Sequence, residues 1–193
     1  MTIDPKLASP VDVYKVLIGA IVPRPIAFVS TMSADGVRNV APFSFFTVAS
    51  ADPPVLCFTP TGQKDTLVNI RATREFVVNI VSEDFVEQMN LASGTYPPDV
   101  DEFAVSGLTP VPSTIVKPAR VGESRVQMEC ELFQILEIGS GALVLGQVVL
   151  IHVDDRIVDH YRIDPDALRA VGRMGGNTYA RTTDRFDLAR PKV

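Results

Sequence analysis

The chain has 193 residues, only two of them cysteines, with 18 basic and 23 acidic side chains and a formal net charge of −5. This length predicts a single domain over residues 1–193, and two cysteines are too few for a disulfide framework, which favours a reducing, cytoplasmic environment. The acidic balance argues against a nucleic-acid partner, and the sequence predicts neither a membrane span nor a secretory signal.

Short β-branched and aromatic runs between turn residues predict antiparallel strands in the first half of the chain. These predicted strands span residues 25–31, 37–41, 45–49, 55–59 and 75–81. Asp35-Gly36 supplies the positive φ of a hairpin turn, while Pro42 and Pro53-Pro54 mark strand ends. The pattern predicts a meander of short strands.

Helical spacing predicts two or three peripheral helices. One begins near Lys64 with Asp65 as its cap, and a second covers residues 83–93. Asp164-Pro165 places a capping residue and an N1 proline at the start of a third, which extends to residue 171. Residues 94–122 carry five prolines and predict a long loop, of the kind that is often functional.

The second half predicts two long strands. Apolar residues alternate with polar ones over 126–132, which predicts that Gln127 and Glu129 point outward, and the alternation slips at Phe133. A slip of one residue predicts a bulge that bends the strand. Residues 142–153 are apolar on both faces, so one face needs a helix or a second subunit to cover it. Many short strands with few helices predict a small, mainly-β barrel.

The usual catalytic motifs are missing from the sequence. The Cys57–Cys130 and His152–His160 spacings match no metal site, and the sequence contains no nucleophile elbow, P-loop or dinucleotide fingerprint. We interpret both cysteines as structural, His152 as a hydrogen-bonded barrel residue and His160 as a surface residue. The sequence therefore predicts no metal and identifies no catalytic residue.

A cluster of hydroxyls, amides and one lysine suits a phosphate. It comprises Ser30-Thr31, Asn39, Ser50 and Lys64-Asp65-Thr66, the last of which also reads as an ordinary helix cap. Two charge-assisted hydrogen bonds and a helix end total about 3–7 kcal/mol, whereas micromolar binding needs about 8.2 kcal/mol. A phosphorylated ligand would therefore also have to bury a planar or apolar body.

The sequence resembles the flavin reductase-like, FMN-binding split-barrel family over about residues 14–186. Three stretches in the first half carry the likeness: residues 23–31, residues 39–46 with Ser50 and Pro53-Pro54, and residues 64–70. In the second half it rests on Glu102-Phe103, Gly107-Leu108-Thr109, Glu129-Cys130, and residues 172–176 leading to Tyr179. The order and spacing of these segments agree together, which a single motif would not establish.

The resemblance implies a mainly-β, Greek-key split β-barrel of the FMN-binding type that forms a homodimer with FMN in each interface groove. It implies that Lys64, Thr66 and Ser50 hold the phosphate, and that His152 could face the flavin. The cofactor-binding residues that the resemblance implies are Arg24, Thr31, Asn39, Ser44, Phe45, Phe46, Ser50, Lys64, Thr66, Arg173 and Tyr179.

The resemblance further implies an NADH- or NADPH-dependent FMN reductase, with a monooxygenase or another electron acceptor as a partner. Hydride transfer between nicotinamide and flavin needs no protein nucleophile, because the cofactor carries the reactivity. Three alternatives stay open: an FMN-carrying electron-transfer protein similar to flavoredoxin, an FMN-dependent reductase of a specific organic substrate, and a binding module without flavin.

Overall fold

A computed structural model describes residues 1–191 and contains one large antiparallel sheet. The strands are β1 Arg24–Pro25, β2 Ala27–Met32, β3 Arg38–Phe43, β4 Phe46–Ala51, β5 Pro54–Phe58, β6 Glu75–Ile80, β7 Pro110–Val111, β8 Arg120–Val121, β9 Val126–Ile138, β10 Gly141–Val153, β11 Val158–Asp159, β12 Arg162–Ile163, β13 Val171–Arg173 and β14 Tyr179–Arg181. The α-helices are α1 Pro10–Ala20, α2 Asp65–Thr73, α3 Val86–Leu91, α4 Glu102–Ser106 and α5 Pro165–Leu168. No helix in this part of the chain is long and apolar enough to span a bilayer.

The main sheet has seven strands in the order β3-β2-β6-β9-β10-β5-β4. The first hairpin, β2 with β3, turns at Gly36, whose φ of 89° requires a residue without a Cβ. Pro42 lies inside β3 rather than at its end, which the sheet tolerates because β3 is an edge strand. Within residues 1–191, β3 and β4 pair with β2 and β5 alone, so both edges of the sheet are unpaired.

Strand β2 is buried on both faces because it separates two hydrophobic clusters. Ala27 and Val29 pack into the cluster that contains Phe58 and Phe76. Its residue Phe28 packs into a second cluster, with helix α3 and helix α4. The continuous apolar run of this strand in the sequence therefore matches its double burial.

The long hairpin of β9 and β10 confirms the predicted bulge. Leu145 pairs with Gln134 and Gly146 with Leu132, so Phe133 has no opposite residue. A Cβ on Gly146 would lie 2.1 Å from Cζ of Phe76, so only glycine fits where β10 crosses this ring. The polar positions of this alternation are Gln127, Glu129 and Glu131. Glu131 is exposed, but the outward prediction is wrong for Gln127 and Glu129, which are both buried.

The helices differ from the prediction in number and in one cap. The described residues contain five α-helices rather than two or three, and the predicted loop 94–122 contains α4 and the β7–β8 pair. Lys64, not Asp65, occupies the N-cap of α2, and it makes no side-chain cap hydrogen bond. Asp164 does cap α5, by accepting from Asp166 N and Ala167 N. Helix α5 ends earlier than predicted.

Candidate functional site

A groove of about 940 Å³ lies at the end of β3. One wall is helix α1, a second is helix α3, and the third is the turn between β13 and β14. Its floor combines apolar side chains, including Ile26, Pro42 and Met89, with the hydroxyl of Ser44. The volume lies within the range of small-molecule and cofactor sites, roughly 300–1,000 Å³.

Arg24 fastens the walls of this groove together. Its Nη1 donates to the carbonyls of Ile18 and Ile21, at 2.6 and 2.7 Å, which lie at the end of helix α1. Its Nη2 donates to the carbonyl of Met174 at 2.9 Å, and Nε donates to Ser44 Oγ at 3.3 Å. The guanidinium is buried and largely saturated by the protein, so its main task is to shape the groove.

Arg173 and Tyr179 form the opposite wall. The guanidinium carbon of Arg173 lies 4.5 Å from the ring centroid of Tyr179, and Nη2 also donates to the Gly176 carbonyl. The Tyr179 hydroxyl contacts Asn90 Oδ1 of helix α3 at 3.4 Å. Both side chains were predicted from the sequence, and the structure brings them to the same groove as Arg24 and Ser44.

Neither of the two predicted phenylalanines lines the groove. Phe45 is partly exposed, and its ring is 6.4 Å from that of Tyr14, which does line the groove. Phe46 packs against the hydrophobic cluster between the sheet and α2. Phe46 therefore behaves as a core residue in the single chain.

Thr31, Asn39 and Thr66 converge on one another. Asn39 Nδ2 donates to Thr31 Oγ1 at 2.9 Å and to Thr66 Oγ1 at 3.0 Å. Asn69 Nδ2 completes the cluster by donating to Thr31 Oγ1 at 3.0 Å. Thr31 and Thr66 are fully buried, and their hydroxyl oxygens accept hydrogen bonds from the buried asparagine side chains. These bonds fix the start of α2 against β2 and β3.

The single chain does not bring Thr31, Ser50 and Lys64 into one cavity. Ser50 pairs with Val55 at the turn end of the β4–β5 hairpin. Lys64 is exposed and follows the other end of β5, where Thr59 N bonds to the carbonyl of Phe45. Neither residue lines the groove.

The sequence did not predict that the carboxylate of Glu129 is buried and accepts several hydrogen bonds. Glu129 is fully buried, with Oε1 accepting from Thr114 N and Oε2 from Ile115 N, both at 2.7 Å. Val116 N donates to Oε2 at 3.0 Å, and His152 Nε2 lies 2.6 Å from Oε1. Burial alone would raise the pKa of Glu129, but these four contacts lower it to about 2.

Two further buried groups lie outside the groove. Burial raises the pKa of Glu102, with Asp65 and Asp101 acting in the same direction, and its Oε2 has no partner in residues 1–191. Burial also raises the pKa of the Cys130 thiol, which makes it a poor nucleophile. Within the described chain, no three His, Cys, Asp or Glu side chains come together as a metal site.

A family model described as the flavin reductase like domain matches residues 19–165, which is most of the chain. The chain belongs to the flavin reductase-like family. The family is flavin-binding, which confirms the resemblance that the motifs carried. An uncharacterised protein of Aquifex aeolicus is 41% identical over 87% of this chain and 89% of its own length.

Two solved structures are closely similar to the fold. Nitrilotriacetate monooxygenase component B from Bacillus cereus has a TM-score of 0.95 and 33% identity, with 97% of this chain and 98% of that chain covered. Pseudomonas fluorescens 2-nitrobenzoate 2-nitroreductase NbaA has a TM-score of 0.93 and 31% identity, with 99% and 96% covered. Both structures therefore share the fold of this protein over nearly the whole chain.

Proposed function

We propose that this protein is an FMN reductase that takes hydride from NADH or NADPH. The observation that carries the proposal is the groove of about 940 Å³ in a chain of the flavin reductase-like family. Its lining pairs apolar residues with a few oriented polar groups, which is what a planar, amphipathic cofactor requires. The fold family alone would not assign an activity to this site.

The groove residues fit a flavin ring. Ile26 and Met89 offer an apolar floor, while Ser44 and the free donors of Arg173 can hydrogen-bond a heteroaromatic edge. The cation-π contact with Tyr179 holds the Arg173 side chain across the wall, which reduces the entropy lost when a ligand binds.

The phosphate end of FMN belongs, in this proposal, at the start of α2. The exposed Lys64 supplies a cation, and the first-turn N–H groups of a helix have no partner within the helix. Thr31, Asn39 and Thr66 contribute by holding this helix end in place rather than by touching the ligand.

The proposal includes a homodimer, which is supported by the distance between the residues that were predicted to bind the cofactor. Asn39 and Ser44 lie at opposite ends of β3, about 16 Å apart at the rise of a strand. Ser50 lies on β4, at the turn end of the next hairpin. A second copy would complete the ligand site that one chain leaves incomplete, and would cover exposed apolar residues such as Val48, Phe133 and Ile138.

When bound, FMN supplies a ring that accepts hydride from a nicotinamide. The protein's own part is alignment and exclusion of water. Arg24 donates hydrogen bonds to α1 and to the turn after β13, and so holds these two walls of the groove together. In this proposal the nicotinamide enters from the open side of the groove. Two rings that the protein holds in register react as if they were one molecule. Binding then supplies the entropy that would be lost when the two molecules meet in solution, and this entropy is a large part of the activation barrier.

A second candidate, an FMN-dependent reductase of an organic substrate, is favoured by the likeness to a 2-nitrobenzoate 2-nitroreductase. The likeness to a monooxygenase component B supports a monooxygenase as the electron acceptor. An electron-transfer protein reduced by a partner is the remaining alternative. A cytoplasmic location completes the proposal.

The test is to add FMN to the purified protein and follow nicotinamide oxidation with NADH and NADPH separately. We expect turnover with at least one nucleotide. We expect Arg173→Gln to weaken FMN binding roughly tenfold, as for one charged hydrogen bond, and Arg162→Gln, at an exposed position, to leave it unchanged. Tight FMN binding without turnover would instead favour the electron-transfer alternative.

A further inference from the structure

A second cleft, of about 480 Å³, opens beside the paired ends of β9 and β10. Its lining includes Arg120 of β8, Arg125, and His152 and Asp154 at the end of β10. The groove and this cleft share no lining residue, so they are separate sites in the described chain. The resemblance implied that His152 could face the flavin, but in the single chain His152 lines this cleft and not the groove.

The imidazole of His152 is oriented from behind by a buried carboxylate. Nε2 lies 2.6 Å from Oε1 of Glu129, which also accepts three backbone N–H groups. A carboxylate held in this way is ionised at neutral pH, so Nε2 must carry the proton of this contact. Nδ1 has no hydrogen-bond partner within residues 1–191, and the side chain is partly exposed in the cleft. Protonation at Nδ1 would therefore turn a free acceptor into a free donor.

Arg120 brings a guanidinium with spare donors to the same cleft. Its three contacts are long: Nε and Nη2 to the Pro112 carbonyl at 3.3 and 3.1 Å, and Nη1 to Gln127 Oε1 at 3.3 Å. These contacts use three of the five N–H groups of an arginine. The other guanidinium, Arg125, is committed to Asp84 at 2.7 Å and to a backbone carbonyl.

We propose that this cleft binds a small carboxylate anion, which pairs with Arg120 and accepts a hydrogen bond from Nδ1 of protonated His152. The planar fork of a guanidinium matches the two oxygens of a carboxylate. A dianionic phosphate is a poorer fit, because the carboxylates of Asp154 and Glu129 are close by.

The proposed hydrogen bond to the anion requires a proton on Nδ1 of His152. The charged groups around it are Glu129 from β9, Arg120 from β8, Arg125 just before β9 and Asp154 just after β10. Asp154 is paired with an arginine at 2.5 Å, and Arg125 with Asp84, so these charges are locally balanced. Because the bound anion requires this proton, affinity should rise as the pH is lowered.

The experiment uses the imidazole resonances of the full chain, which has only two histidines. We would titrate the protein with benzoate and, separately, with inorganic phosphate, and follow both imidazoles by NMR at several pH values. His160 is the matched control, because it also contacts a carboxylate, Asp159, at 2.6 Å, but is exposed. We expect benzoate to shift the His152 resonances saturably and to leave those of His160 unchanged.

The variants separate the site from non-specific binding. His152→Gln and Arg120→Gln should each weaken benzoate binding at least tenfold, whereas His160→Gln and Arg162→Gln, at exposed positions outside the cleft, should not change it. Glutamine at 152 can still donate to Glu129, so the fold is retained. No saturable shift with benzoate, a preference for phosphate, or unchanged affinity in both cleft variants would each overturn the proposal. None of these outcomes bears on the proposed FMN site, because the groove and the cleft share no lining residue.

Discussion

Replacing Glu129 by glutamine should destabilise the protein, because the loop 114–116 depends on both carboxylate oxygens. One oxygen accepts from Thr114 and His152, and the other accepts from Ile115 and Val116. An amide has a single oxygen, so it can serve only one of these pairs. If it serves Ile115 and Val116, a change of tautomer lets His152 accept from the new NH₂ group, and Thr114 N–H is left without an acceptor.

An unsatisfied buried donor costs about 1–3 kcal/mol. Loss of the charge from the remaining contacts adds about 1 kcal/mol, so we expect a total of about 2–4 kcal/mol. That is a large part of the stability of a typical domain, about 5–15 kcal/mol. Urea denaturation at neutral pH measures it, with Glu131→Gln as the control, since Glu131 lies two residues along the same strand and is exposed. Surface substitutions usually change the free energy of unfolding by no more than about 0.5 kcal/mol. A decrease for Glu129→Gln within that range would refute the reasoning.

The pH dependence of this variant gives an independent check. Because the folded pKa of Glu129 is lowered to about 2, its contribution is present above the unfolded pKa and is lost as the pH falls towards 2. The stability difference between the wild type and Glu129→Gln should therefore shrink between about pH 4.5 and pH 2. A difference that stayed constant over this window would contradict the assignment.

Three further changes test other parts of the account. Lys64→Ala should weaken FMN binding, measured by titration of flavin fluorescence, by about 1.5–3 kcal/mol. Lys6→Ala is the control and should leave the affinity unchanged. Gly146→Ala should lower the unfolding free energy by about 1–3 kcal/mol, since its Cβ would meet the ring of Phe76 at 2.1 Å. Arg24→Ala should accelerate amide exchange in α1 at least tenfold, because α1 has no buried residues of its own, and unchanged exchange would contradict the fastening role.

Local patterns predicted the elements that local chemistry determines. The Asp35-Gly36 hairpin, the bulge at Phe133 and the Asp164-Pro165 helix start all follow from a few neighbouring residues, and the structure confirms each. Helix α1 carried the same kind of signal, since Ser9 caps it and Pro10 occupies its first position. This signal is local, and it is sufficient to predict the helix that forms one wall of the groove.

Long-range contacts decided the features that the sequence did not predict. The alternation of β9 places Glu129 outward, but the loop after α4 folds back and supplies three N–H groups that make its burial favourable. The sequence grouped Thr31, Asn39 and Thr66 with Ser50 and Lys64 as one phosphate site. In the single chain the first three hydrogen-bond to one another, and Ser50 lies apart from them on β4. Whether such hydroxyls meet a ligand or one another depends on distant partners, here Asn69, which no local pattern reveals.

The most direct test of the central claim is anaerobic stopped-flow reduction of the FMN-loaded protein, with NADH or NADPH carrying deuterium at C4 of the nicotinamide. The account predicts that the flavin absorbance is lost in a single turnover, and that deuterium slows the loss. Flavin that stays oxidised with both nucleotides, or a protein that takes up no FMN, would contradict it.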